Sequence, residues 1–78
     1  MNITKHAKGQ MDDRGFTSDM LSSFMDGKKV VKEARDGAYA VIGKADGNLW
    51  TLIMAGDLYT IVTVRRAHKD EEDLWNSR

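Results

Sequence analysis

Hydrophobic positions change their spacing once along this chain, near residue 28. Before that point they recur at helical intervals. Ile3, Ala7 and Met11 stand four apart and form one stripe of a helix. Thr4 has the side chain of an N-cap, and Gly15 stands where a helix can end in left-handed backbone. A second stripe of Met20, Leu21, Phe24 and Met25 follows Thr17-Ser18, either of which can cap it, and Gly27 stops it. From Lys28 onward, β-branched and aromatic residues gather in short runs. These predict strands at 28–34, 38–44, 49–55 and 58–65, separated by Asp36-Gly37, Asp46-Gly47-Asn48 and Gly56-Asp57. Gly56-Asp57 suits a two-residue type II′ hairpin with glycine at the first central position.

The pattern therefore predicts an α+β domain, with two N-terminal helices packed on a four-stranded antiparallel meander. Residues 70–78 open with Asp70-Glu71-Glu72-Asp73 and continue with Leu74-Trp75, the composition of a short closing helix. Alternation on the last strand sets Leu58, Thr60, Val62 and Val64 on one side and Tyr59, Ile61, Thr63 and Arg65 on the other. The first set is the more apolar and should face the helices. The second should be partly open, with Tyr59 and Arg65 available to a ligand.

Composition narrows the function classes. With 78 residues, the chain is a single domain, 1–78. It has no cysteine, which excludes disulfides and a Cys-based zinc site. Its apolar runs are too short to cross a membrane as a helix, and its first residues lack the apolar core of a secretory signal, so a cytoplasmic protein is expected. So small a core invites support from a complex. Charge is balanced overall at 12 basic and 12 acidic side chains but unevenly spread. Residues 1–69 hold 11 basic and 8 acidic groups, and the final segment holds four acids against Arg78.

There is no phosphate-binding glycine loop with a lysine, no G-x-G-x-x-G after a strand and no H-E-x-x-H. No metal site and no cofactor are predicted. The remaining chemistry lies in two clusters, Lys5-His6 with Arg14, and Arg65-Arg66 with His68-Lys69. If the first helix packs near the end of the last strand, His6, Arg14, Arg65 and His68 converge. Such a set suits metal-independent RNA cleavage. A histidine moves the proton, arginines hold the phosphate, and the RNA 2′-hydroxyl is the nucleophile. The plainer assignments are that the histidines are surface or hydrogen-bonding residues and that Arg65-Arg66 are solvated or salt-bridged, for which the acidic tail offers partners. Trp50, Tyr59 and Trp75 read as core or rim residues rather than base-stacking platforms.

The segments Ile3-Thr4-Lys5-His6-Ala7, Met11 and Arg14-Gly15-Phe16, a glycine before Val30-Val31, and the closing Tyr59-Thr60-Ile61-Val62-Thr63-Val64-Arg65 form a longer pattern. Over about residues 3–66 it resembles a family of small bacterial and phage-borne domains grouped with RelE- and BrnT-like toxins. The resemblance implies a helix pair on an antiparallel sheet and a ribonuclease toxin neutralised by a cognate antitoxin. Family-type positions match at His6, Arg14 and Arg65, the expected catalytic set, and the two basic clusters add Lys5, Arg66, His68 and Lys69 as expected phosphate-binding residues. Two features depart from the family: this chain is neutral, and Arg66 stands where a tyrosine is often found. The alternative expectation is a non-catalytic protein-binding module, an inhibitor or immunity-type protein using its five methionines as an adaptable surface. A homodimer through exposed sheet edges or through Leu74-Trp75 is the third.

Overall fold

Each predicted helix forms between its predicted signals. In a computed structural model describing all 78 residues, α1 spans Lys5–Arg14 and α2 spans Ser18–Asp26. The Thr4 hydroxyl accepts the Ala7 N–H at 3.1 Å, and Gly15 ends α1 with φ +67°, a conformation costly to a side chain with a Cβ. Thr17 caps α2 by accepting the Met20 N–H at 3.1 Å. The acidic tail closes the chain as a third helix, α3, Lys69–Asn76.

The sheet departs from the prediction. It has five strands, not four, and it is mixed, not wholly antiparallel. The strands are β1 (Asn2–Ile3), β2 (Lys29–Glu33), β3 (Tyr39–Ala45), β4 (Asn48–Met54) and β5 (Thr60–Arg66). Their spatial order is β1-β5-β4-β3-β2, with β2 to β5 forming the expected antiparallel meander. The extra strand β1 pairs in parallel with β5, Asn2 beside Thr60 and Ile3 beside Ile61. Two residues carry no periodicity, so only the tertiary pairing defines this strand. Beyond it α1 runs along the same edge in the direction of β5, where Gln10 Oε1 accepts the Val64 N–H at 2.8 Å. A side-chain amide thus satisfies a strand edge that β1 is too short to reach.

The last hairpin also differs. Neither Gly56 nor Asp57 takes positive φ; Leu58 does, at +55°. The Leu58 N–H bonds the Ala55 carbonyl at 2.9 Å, and the Asp57 carboxylate accepts the Tyr59 and Thr60 N–H groups at 2.8 and 3.0 Å. Those bonds hold the Asp57 carboxyl below the usual carboxylate range. The loop is longer than two residues, and β5 begins at Thr60 rather than Leu58. Gly56 serves another need: a Cβ there would stand 3.0 Å from the Gly37 carbonyl in the Arg35–Gly37 turn.

A bulge then breaks the alternation of β5. Ile53 pairs with Thr63 but Met54 pairs with Ile61, so Val62 is the extra residue. Ile61 and Val64 consequently both enter the core under α1, whereas strict alternation had put them on opposite faces. That core also holds Ala7, Met11, Phe16, Phe24, Leu52 and Met54. Phe24 packs so closely over Gly43 that a Cβ on residue 43 would lie 2.8 Å from its ring. The other sheet face is not open. Val30, Ala40 and Ile42 are buried on it, and α3 lies across it from the β4–β5 pair to Lys28, the residue before β2. No helix is long and apolar enough to cross a membrane.

Candidate functional site

Alternation along β4 and β5 sends Thr51 and Arg65 to the face opposite the main core, directly across from each other in register. The chain leaves β5 through Ala67 and turns into α3 with His68 as N-cap. Glu71, in the first turn, reaches back to the His68 N–H at 2.8 Å, the N3-to-N-cap bond that starts a helix cleanly. The same carboxylate accepts the Thr51 hydroxyl at 2.9 Å and is clamped by Arg65, Nη1 to Oε1 at 2.7 Å and Nη2 to Oε2 at 2.8 Å. One side chain therefore caps α3, docks it on the sheet and pairs the strand arginine.

Glu71 is 2% exposed, and the Arg65 side chain 21%. Burial acts to raise the Glu71 pKa. Hydrogen bonds from Arg65, the His68 N–H and Thr51, with the Arg65 charge, overcome it and hold the group down at about 2. The guanidinium is used bidentately, the strong geometry for such a pair. Beside this pair lies a cleft of about 660 Å³. Lys32 of β2 and Arg35 of the following turn form one wall, and Arg65, His68, Asp70 and Glu71 form the other. Ala40 and Ile53 lie at its base. Lys32 bridges to Asp70 at 3.2 Å, and its hydrogen bond lowers the Asp70 pKa. Both partners of that bridge are well exposed, so it is weak and exchangeable. His68, Asp70 and Glu71 bring ligand atoms within 4.8 Å of one another. A cation there would compete with Arg65 and Lys32 for the same oxygens.

Of the residues singled out in the sequence, Arg65 and His68 meet in this cleft. His6 and Lys5 are exposed in the first turn of α1, and Arg14 is exposed at its end; none lines the cleft. Arg66 points to the opposite face, its guanidinium 5.4 Å from the centre of the buried Trp50 ring and bonded to Asn48 Oδ1 at 3.3 Å. Lys69 is exposed and pairs with Asp73 at 2.6 Å, which raises its pKa. The counter-ion for Arg65 does come from the acidic tail, and it is Glu71. Sequence reasoning missed Lys32, Arg35 and Glu71. Glu71 had a signal, an acid three residues after a cap position; Lys32 and Arg35 had none, because two strands separate β2 from β5 and only α3, crossing this face, brings Asp70 to Lys32. Comparison with family models, with curated proteins and with solved structures finds no match for the chain.

Proposed function

We propose that this chain is a toxin-type domain that binds RNA in the cleft beneath α3 and cleaves its backbone without a metal. The observation that carries the reading is that Lys32, Arg35, Arg65 and His68 line one cleft, in a chain whose sequence resembles RelE- and BrnT-like toxins. The His68 imidazole moves the proton to or from the 2′-hydroxyl and the leaving oxygen. Arg35 holds the phosphate, joined by Lys32 once its exposed bridge to Asp70 opens. Arg65, already held by Glu71, positions the wall and the His68 turn rather than the phosphate. The zero net charge makes binding local to the cleft and not a general affinity for polyanions.

A second reading, a non-catalytic protein-binding module, is favoured by one observation. Arg65 is satisfied within the fold by Glu71, and Asp70 and Glu71 add two acids to the cleft. The test is incubation of the purified chain with an RNA oligonucleotide and with its 2′-deoxy counterpart. Cleavage of RNA alone is expected, falling by a factor on the order of 10²–10⁴ in His68→Ala. If the loss follows His6→Ala instead, the chemistry belongs to α1 and the cleft assignment is wrong. If folded protein cuts no RNA at any concentration, the catalytic reading fails and a stoichiometric protein complex becomes the expectation.

A further inference from the structure

The sheet ends on β2, and its outer edge is open. Ala34 donates to the Ala38 carbonyl at 2.9 Å, which fixes the phase of the β2–β3 ladder. In that phase Val30 and Lys32 face β3 with their backbone groups, while Lys29, Val31 and Glu33 turn theirs outward. No backbone bond from a turn, loop or cap reaches those three residues. Val31 is also 48% exposed in the middle of the strand. Such an edge is a template for another strand.

We infer that β2 pairs antiparallel with β2 of a second copy of this chain, about a two-fold axis through Val31. Charge selects both the occupant and the register. With the axis at Val31, Lys29 of each copy stands opposite Glu33 of the other, and Val31 packs against its own counterpart on the same face. All three outward-facing residues of each strand then exchange backbone hydrogen bonds with the partner. The neighbouring registers fail. An axis at Lys29, Lys32 or Glu33 sets a like charge against itself, and one at Val30 sets Lys28 against Lys32. Glu33 forms no ion pair within its own chain, so its carboxylate is free for this role. Lys29 bonds only the Met25 and Gly27 carbonyls at the end of α2, at 2.5 and 2.8 Å, and forms no ion pair within its own chain, so it exchanges these carbonyls for the partner's Glu33. The contact is isologous and closes as a dimer, continuing the two sheets as one.

Sedimentation equilibrium of the full chain over a wide concentration range tests this. A monomer–dimer equilibrium is expected. Val31→Pro removes an N–H that β3 does not use and should leave only monomer, with a far-ultraviolet spectrum and melt showing that the fold persists. Glu33→Lys and Lys29→Glu should each weaken self-association by about tenfold or more, since each sets like charges opposite twice. Mixed in equal amounts, those two variants should pair with each other, because both charge pairs are then restored. A wild-type chain that stays monomeric throughout, or a dimer that survives Val31→Pro and Glu33→Lys, overturns the inference.

Discussion

The two faces of the sheet are covered by helices in contrasting ways. Under α1 and α2 the buried side chains are apolar, with Phe24, Leu52, Ile61 and Val64 at zero exposure and Phe16 tilted against Trp50, ring centroids 4.8 Å apart. Under α3 the buried set includes Thr51 and Glu71 beside Val30, Ala40 and Ile42. Stability on the first face comes from area and fit, which any matching apolar set supplies. On the second face it depends on one carboxylate having all its partners, because an unpaired buried charge is expensive. That face also keeps a cleft. Polar burial and open charged space occur together there, which is why candidate chemistry sits under α3.

The contrast is broken most severely on the apolar face. Phe24→Ala removes a fully buried ring that lies edge-on to Phe16, and a loss of about 3–5 kcal/mol is expected in urea unfolding. Next comes Glu71, tested by pH. Its pKa is about 2 folded against 4.5 when unperturbed, so between those values the unfolded chain binds the extra proton. Its contribution is thus complete above about pH 4.5 and is lost as pH falls through the folded value, roughly 3 kcal/mol in all. Unfolding of Glu71→Gln followed from pH 7 to pH 2 should lack this part of the slope. Gly43→Ala should cost about 1–3 kcal/mol by overpacking, and much less in a Phe24→Leu background, since the clash is with that ring. The smallest effect belongs to neither face. Leu58→Gly relieves positive φ at an exposed loop position and should raise stability by about 1 kcal/mol at most, read in urea unfolding.

Legibility in the sequence follows the same division. Thr4, Gly15 and Thr17 act on backbone groups within a few residues, so both N-terminal helices were readable with their caps. The α2 stripe and the Ala7 and Met11 positions of α1 were readable because one side of each helix faces an apolar core, whereas Ile3, expected on the same helix, lies in β1 before the Thr4 cap. On β5 the alternation failed at Ile61, since a bulge is decided by fitting against β4 and α1 and not by local preference. The proposed meeting of His6 with Arg65 required knowing which side of the sheet each occupies. The structure sets Arg65 against α3 and His6 on α1, packed over the other face.

By itself, the sequence determined the helix–helix–meander order, the caps, the stripe residues of the core and the absence of cysteine chemistry. These are local or compositional properties, set within one turn of helix or one strand. Only the tertiary structure decided that Asn2-Ile3 joins the sheet, that Val62 is extruded, that α3 closes the second face and that Glu71 answers Arg65. Each of those depends on which distant segments lie side by side, and the free energy of such contacts exists only once the chain has folded.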